Sequence, residues 1–152
     1  VRRLVGSEMC IRDRFKSFMS DQKTLSLIKP DAVERNLIGK IIDIFETNGI
    51  VIEKIKKVHV SNEFAKKFYD VHKDKPFFKE LCSYLSSGPI IAMVLKGENV
   101  IKKNRDLMGA TNPKDAKEGT IRQKFAISID KNSVHGSDSE ENASKEISLF
   151  FS

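Results

Sequence analysis

The sequence predicts an α+β fold in which helices cover a four-stranded, mostly antiparallel sheet. Two observations carry this prediction: four segments have the composition of strands, and helical patterns separate them. The order is βαβ, further helix, then βα and a last strand with a terminal helix. The ferredoxin-like sandwich, a split βαβ arrangement, is the simplest architecture that fits this order.

The first part of the chain contains one strand signal and one helix signal. An alternating apolar run over 24–29 ends at Pro30, which predicts a strand closed by a turn. Apolar residues recur at helical spacing over 37–45, and Asn48-Gly49 supplies the end of that predicted helix.

The middle of the chain adds two strands and two helices. Residues 50–60 are rich in β-branched side chains and predict a long strand with room for a bulge. Ser61 then caps a predicted helix, and Pro76 marks the start of another. The continuous apolar run 89–95 predicts a central strand that is buried on both faces.

The last part of the chain ends in a predicted helix. The predicted elements are a weak helix over 100–107, a loop over 109–119, a half-buried strand over 125–129 and a helix over 139–150. The strand prediction rests on the alternation of large apolar residues at Phe125, Ile127 and Ile129.

Length and charge indicate one domain preceded by an unusual N-terminal piece. The 152 residues carry a net charge of +6, and half of that excess lies within residues 1–18. This piece shows no sustained helical or strand periodicity, and it lacks the apolar stretch of a secretory signal. We therefore expect an extraneous or disordered extension. Met19 reads like a natural start, and the predicted domain therefore comprises residues 19–152.

Composition also bears on the cellular compartment of the protein and on the class of ligand that it binds. No apolar run approaches the ~18 residues that a membrane span needs. The two cysteines, Cys10 and Cys82, lack metal-ligand spacing, so we expect a reducing, cytoplasmic compartment and no disulfide scaffold. A mildly basic domain suits polyanionic ligands.

The segment 132–138, with the sequence Asn-Ser-Val-His-Gly-Ser-Asp, is the most informative stretch of the chain. It places His135 between the predicted last strand and the terminal helix, which Ser137 and Asp138 could cap. Because histidine titrates near pH 7, a neutral imidazole there can act as a nucleophile or a base. Taken alone, however, the same residue is well explained as a solvent-facing turn histidine.

The known nucleotide-binding motifs are absent from this sequence. It has no Gly-x4-Gly-Lys-Ser/Thr loop, no Gly-x-Gly-x-x-Gly after a strand and no His-Arg-Asp loop of protein kinases. If the domain handles phosphate, side chains must therefore do most of the work. The candidates are Lys29, His72, Arg105, Thr111 and Arg122, each of which taken singly is also an ordinary surface residue.

Taken together, these residues give the chain a family resemblance. From about Thr24 to Phe151 it resembles nucleoside diphosphate kinases in the order and separation of its motifs, and the 132–138 signature is highly specific. The other segments that carry the resemblance are 29–31 (Lys-Pro-Asp), 73–78 (Lys-Asp-Lys-Pro-Phe-Phe), 87–89 (Ser-Gly-Pro), 109–113 (Gly-Ala-Thr-Asn-Pro) and 119–122 (Gly-Thr-Ile-Arg).

The resemblance implies a ping-pong phosphotransferase with broad base specificity. The γ-phosphate of a nucleoside triphosphate would pass to His135, giving a pros-phosphohistidine, and then to a nucleoside diphosphate. Glu146 would accept a hydrogen bond from the other imidazole nitrogen, and Ser137 would support Glu146. The remaining residues that the resemblance implies for catalysis are Lys29, Tyr69 and Asn132.

The same resemblance implies how the nucleotide is held. Phe77 would stack on the base with Ile129 on the other side, and stacking without hydrogen bonds to the base edges tolerates every base. Lys29 would reach the ribose and the transferring phosphate, and Asn132 the ribose. The other implied nucleotide-binding residues are His72, Leu81, Arg105, Thr111 and Arg122.

For the metal, the resemblance implies Mg2+ that arrives on the nucleotide phosphates and keeps much of its hydration. Asp138 would be its outer-sphere partner. Many members have a carboxylate at the position of Val71, whereas here Asp70 lies one residue earlier, so a second metal-facing carboxylate is left open.

The resemblance also implies the partners: nucleoside tri- and diphosphates, no membrane, no specific nucleic acid, and a homo-oligomer, either tetramer or hexamer. Two departures bear on the assembly. Residues 1–18 have no counterpart in the family core, and the chain stops at Phe150-Phe151-Ser152, where members commonly continue into a tail that makes subunit contacts.

Two other function classes stay open at this point. A basic ferredoxin-like domain can bind single-stranded nucleic acid through aromatic residues on its sheet. Here the strands carry aliphatic residues, and no Gly-Phe-Val-x-Phe-like run is present. A relative that has lost activity could serve as an oligomeric scaffold, although retention of the whole set of site residues argues against this.

Overall fold

The structure is a computed structural model that describes residues 21–129 and 131–151; the expectations for residues 1–18 and for Met19 lie outside this part of the chain. The strands are β1 (Asp21–Ile28), β2 (Val51–Val58), β3 (Ile90–Glu98) and β4 (Val134–Gly136). The helices are α1 (Pro30–Glu34), α2 (Ile38–Thr47), α3 (Asn62–Phe68), α4 (Phe78–Leu85), α5 (Val100–Met108), α6 (Ile121–Phe125) and α7 (Glu140–Phe151), with 3-10 turns at Asp70–His72 and Pro113–Asp115.

The four strands form one sheet in the order β2-β3-β1-β4, and every neighbouring pair is antiparallel. The predicted ferredoxin-like α+β fold is therefore confirmed. The long central pair β1–β3 sets Leu25 opposite Val94, and the short edge strand β4 sets His135 opposite Leu27. The predicted bulge in β2 lies between Ile52 and Lys54.

Hydrophobic clusters on the two faces of the sheet hold the helices in place. One cluster joins Ile41 and Phe45 of α2 to Met93 of β3. The other joins Phe68 of α3 and Leu85 of α4 to residues of β1 and β3. Strand β3 supplies both clusters, which explains why its sequence is a continuous apolar run and confirms that it is buried on both faces.

The helix ends follow local chemistry. Ser61 caps α3 by accepting a hydrogen bond from the backbone N–H of Phe64 at 3.1 Å, as its residue type predicts. Pro30 starts α1 at a position where a missing N–H has no cost. The start of α4 is Phe78, two residues later than Pro76 suggests. No helix within 21–129 and 131–151 is long and apolar enough to cross a membrane.

The predicted strand over 125–129 is wrong. Helix α6 ends at Phe125, and Thr120 caps its start by accepting from the backbone N–H of Gln123. Ile127 and Ile129 are 58% and 53% exposed, so their alternation does not mark a buried face. The last strand is instead β4, which begins after this segment and carries His135 itself.

Truncating Phe45 tests the packing of α2 on the sheet. This side chain is fully buried, so Phe45→Ala should lower the free energy of unfolding by about 3–5 kcal/mol, the cost of a large core cavity. Glu46→Ala is the matched control, since its exposed neighbour on the same helix should change stability by no more than about 0.5 kcal/mol. Urea unfolding of both variants measures the difference, and equal effects would contradict this packing.

Candidate active site

His135 lies on β4 with an aromatic wall beside it. The ring of Phe68 meets the imidazole edge-to-face at 5.0 Å between centroids, and the ring of Tyr69 does so at 6.3 Å. Tyr69 was expected near the site, whereas Phe68 was missed. Its only signal in the sequence is helical spacing with Phe64, which indicates core packing and nothing more.

A carboxylate holds the imidazole from the side of α7. The Nε2–H of His135 donates to Glu146 Oε1 at 2.7 Å, and the hydroxyl of Ser137 donates to Glu146 Oε2 at 3.1 Å. Both oxygens of the carboxylate are thus engaged, which fixes the orientation of the ring. A neutral imidazole protonated at Nε2 carries its free lone pair on Nδ1.

The surroundings of His135 keep it neutral near pH 7. Burial is the largest effect and lowers the pKa of the imidazole, because this half-buried ring loses part of the hydration that stabilises its charged form. Glu146 raises the pKa through its hydrogen bond and its charge, while the positive charges of Lys29 and Arg122 lower it. The balance of these effects is a pKa below the ordinary value.

Lys29 and Asn132 lie next to each other where β1 ends and β4 is about to begin. Lys29 directly follows β1, and its Nζ donates to Asn132 Oδ1 at 2.9 Å. Both residues are buried. A second link, from the backbone N–H of Lys29 to the carbonyl of Ser133 at 2.8 Å, ties the end of β1 to the start of β4.

Arg122 joins α6 to two segments of the site. Its guanidinium donates to the carbonyl of Gly109 and to the carbonyl of Val134, each at 3.0 Å. Burial, and then the positive charge of Arg105, lower the pKa of Arg122 to about 10, so it keeps its charge at neutral pH. Two positive side chains thus lie near the strand that carries His135.

Asp138 and Arg105 both line an open groove of about 430 Å³. The carboxylate of Asp138 accepts from Asn142 Nδ2 at 2.6 Å, which is the main reason that its pKa is lowered; Arg105 contributes further. Within the described ranges, no three His, Cys, Asp or Glu side chains come together to hold a metal ion. Asp138 lines the groove together with Asp106 and Glu140, and carboxylates of this kind suit an outer-sphere contact with a hydrated metal ion that arrives on phosphates.

A line of rings runs from the histidine to the surface. Tyr69 lies 6.3 Å from His72, and His72 lies 6.1 Å from Phe77, measured between ring centroids. Phe77 is 44% exposed at the outer end of this line. At the inner end, burial raises the pKa of the Tyr69 hydroxyl, which therefore stays protonated and can donate.

Three expected nucleotide-binding residues make none of the side-chain contacts described above. Leu81 is half-buried on α4 and packs against the core cluster that contains Phe68. Thr111 is exposed on the loop that Arg122 anchors at Gly109. Ile129 is exposed on the irregular segment after α6.

Comparison with known proteins identifies the family. The nucleoside diphosphate kinase family model matches residues 22–152. The nucleoside diphosphate kinases of a Nitratiruptor species and of Campylobacter concisus are each 62% identical over 130 residues, which is 86% of this chain and 95% of each relative.

Solved structures agree with the sequence comparison. The chain is similar to the nucleoside diphosphate kinase of Aquifex aeolicus in an orthorhombic crystal form, with a TM-score of 0.85 and 41% identity over 87% of this chain and 96% of that one. The apo nucleoside diphosphate kinase of Encephalitozoon cuniculi has a TM-score of 0.84 at 41% identity, over 86% of this chain and 88% of that one.

These comparisons identify an enzyme of the nucleoside diphosphate kinase class, built on a ferredoxin-like sheet. The chain belongs to the nucleoside diphosphate kinase family, which confirms the resemblance drawn from its motifs.

The pKa of His135 should respond to its neighbours with opposite signs. Glu146→Gln removes the charge that raises the pKa, so the value should fall further below 6.5; Lys29→Met removes a charge that lowers it, so the value should rise. Ring signals of His135 in an NMR titration measure both shifts. Glu141→Gln, an exposed acid on the same helix, is the control that should leave the titration unchanged. A rise in Glu146→Gln would contradict the assigned contact.

Proposed function

We propose that this enzyme transfers the γ-phosphate of a nucleoside triphosphate to a nucleoside diphosphate by a ping-pong mechanism through phosphorylated His135. The observation that carries the proposal is the bond from Nε2–H of His135 to Glu146, which is itself held by Ser137. This arrangement leaves the lone pair on Nδ1 for attack. The product is then the pros-phosphohistidine.

In the first half-reaction, Nδ1 forms a bond to the γ-phosphorus while the bond from that phosphorus to the bridging oxygen breaks, and the nucleoside diphosphate leaves. The imidazole becomes positively charged as it attacks, and Glu146 stabilises that charge through the Nε2–H bond. In the second half-reaction, a terminal phosphate oxygen of another diphosphate attacks the phosphohistidine and reverses these steps. A lowered pKa of His135 supports this role, because only the neutral ring is a nucleophile.

Positive side chains would hold the transferring phosphate in line with the imidazole. Arg122 and Lys29 are near enough to His135 to lower its pKa, which supports their contact with phosphate oxygens. Arg105 and Thr111 would bind the phosphates from the side of α5 and its following loop. Such preorganised donors act on charge that redistributes in the transition state, so they contribute to the rate as well as to binding.

Mg2+ would arrive on the nucleotide phosphates and neutralise part of their charge when bound. Asp138 would contact its water shell, since that carboxylate lines the same groove as Arg105. Arg105, which lines the same groove, would orient the phosphates. Tyr69, buried and protonated, would donate a hydrogen bond near the reacting phosphate.

Base recognition would rest on stacking. The exposed ring of Phe77 offers a flat platform at the end of the aromatic line, and His72 lies between it and the histidine. Leu81 and Ile129 would add apolar contacts, and Asn132 would bind the ribose. A site of this composition accepts purines and pyrimidines with similar efficiency, because every base has a face that stacks.

For the assembly and the compartment, we propose a homo-oligomer, tetramer or hexamer, in the cytoplasm. The edge strand β2 supports association, since its Val51 and Ile55 are half or more exposed on an open sheet edge. Cys82 is buried and forms no disulfide within the described residues, which is consistent with a reducing compartment. Substrates are the only further partners proposed, with neither membrane nor specific nucleic acid among them.

Replacement of the nucleophile tests the mechanism. His135→Ala should bind nucleotides but gain no phosphoryl group after incubation with ATP and Mg2+, because the attacking nitrogen is gone. His59→Ala is the matched control: this histidine is exposed on the loop after β2 and bonds the carbonyl of Ser86, so its variant should phosphorylate like the parent. Intact-mass spectrometry measures the phosphoryl group. A phosphorylated, active His135→Ala would exclude His135 as the nucleophile.

Replacing Arg122 by lysine separates rate from binding. Lysine keeps a charge but loses the planar fork that spans Gly109, Val134 and the phosphates, so phosphorylation of His135 should slow by about 10^2-fold or more. Nucleotide dissociation constants should change less. Stopped-flow phosphorylation and equilibrium titration measure the two effects, with Lys124→Ala on the same helix as the exposed control. A parent-like rate with much weaker binding would make Arg122 a uniform-binding residue.

A further inference from the structure

The turn before His135 has a backbone conformation that its residue type disfavours. Ser133 has a φ of 73°, although it carries a side chain. The backbone N–H of Val134 donates to the carbonyl of Asn132 at 2.9 Å, which closes a γ-turn around Ser133. Turns of this kind with positive φ at the central residue are rare and strained. The strained residue lies directly between Asn132 and the strand that carries His135.

A buried carboxylate on α1 holds the centre of this turn. The hydroxyl of Ser133 donates to Asp31 Oδ2 at 3.0 Å, although the two residues are 102 positions apart in the chain. Ser133 is completely buried and Asp31 nearly so. The carbonyl of the same serine accepts from the backbone N–H of Lys29 at 2.8 Å. The hydroxyl and the carbonyl of Ser133 are therefore both held by the segment that follows β1.

Asp31 is itself fixed by two other parts of the fold. Arg35 Nη2 donates to Asp31 Oδ2 at 3.2 Å and to the hydroxyl of Ser133 at 3.3 Å, which closes a triangle of three side chains. The hydroxyl of Tyr84 on α4 donates to Asp31 Oδ1, and it accepts from the backbone N–H of Asp31 at 3.0 Å. The carboxylate thus connects α1 and α4 to the turn.

We propose that Asp31 is a positioning residue of the phosphotransfer site. Its carboxylate keeps Ser133 at positive φ and thereby sets where Asn132 and His135 stand relative to each other. The inference rests on the proposed function of His135. Strand β4 cannot enforce this geometry alone, because only three of its residues pair with β1. An extended Ser133 would redirect the chain on one side of the turn and separate the two residues.

A purely structural role is the alternative, and Tyr84 provides the control for it. Tyr84→Phe removes one hydrogen bond to the same carboxylate but leaves the bond from Ser133 to Asp31 in place. Asp31→Asn is nearly isosteric and removes the charge that Arg35 and Ser133 share. If Asp31 only stabilises the fold, both variants lose stability and neither slows the chemical step once it is folded.

Glycine at position 133 provides a rescue. Glycine adopts positive φ without steric cost, so a chain with Ser133→Gly no longer needs the carboxylate to hold the turn. The informative set is the parent, Asp31→Asn, Tyr84→Phe, Ser133→Gly and the double variant Asp31→Asn with Ser133→Gly. Each is measured by quench-flow phosphorylation of His135 with ATP and Mg2+, at a temperature where its own urea curve shows it folded.

We expect Asp31→Asn to phosphorylate at least about tenfold more slowly than the parent, since small displacements of reacting groups reach about 10^2-fold in rate. Tyr84→Phe should retain the parent rate. The double variant should recover to the rate of Ser133→Gly alone. A parent-like rate in Asp31→Asn, equal slowing in Tyr84→Phe, or a double variant as slow as Asp31→Asn would each overturn the proposal.

A measurement without nucleotide keeps this inference separate from the proposed function. The one-bond Cα–Hα coupling of Ser133, measured by NMR, reports the sign of its φ. Asp31→Asn should lose the positive-φ value and Tyr84→Phe should keep it. If the parent itself never phosphorylates His135, the proposed function fails, while the coupling still decides whether Asp31 holds the turn. An unchanged coupling in Asp31→Asn would overturn the proposal.

Discussion

The rest of the site depends on the hydrogen bond between His135 on β4 and Glu146 on α7. The two residues are only 11 positions apart, yet the bond forms between a sheet edge and a helix packed against that sheet. It fixes the tautomer of the imidazole and leaves one nitrogen with a free lone pair. Burial favours the neutral ring, whereas Glu146 favours the charged one; burial prevails, so the pKa of His135 is lowered and the ring is neutral, as the proposed attack requires.

The fold brings the surrounding groups to this bond by ending several elements at one place. Lys29 follows the last residue of β1, and Asn132 precedes β4, so the antiparallel pairing of the two strands sets them side by side. Arg122 reaches the same strand from α6 through the carbonyl of Val134. The aromatic line from Tyr69 to Phe77 then leads outward. The sheet therefore positions the residues at the strand ends, and the helices and their flanking turns add charged and aromatic side chains around them.

The sequence predicted the parts of this arrangement that depend on local pattern or on a specific signature. The buried run of β3 and the cap at Ser61 follow from residue types alone. The family resemblance, carried by the motif around His135, implied Glu146 as the partner of this histidine. The strand over 125–129 failed because exposed apolar residues can alternate without a buried face. The bond from Ser133 to Asp31 was out of reach for another reason: it joins residues 102 positions apart, and neither residue type signals a strained turn.

The most direct test of a histidine that carries phosphate between two nucleotides is to separate the two half-reactions. The protein is incubated with ATP and Mg2+, freed of nucleotide by gel filtration, and then mixed with GDP. If His135 carries the phosphate, the isolated protein holds one phosphoryl group, and GTP forms in equal amount as that group disappears. If GTP forms only when ATP and GDP are present together, and the isolated protein carries no phosphate, transfer is direct and His135 is not the carrier.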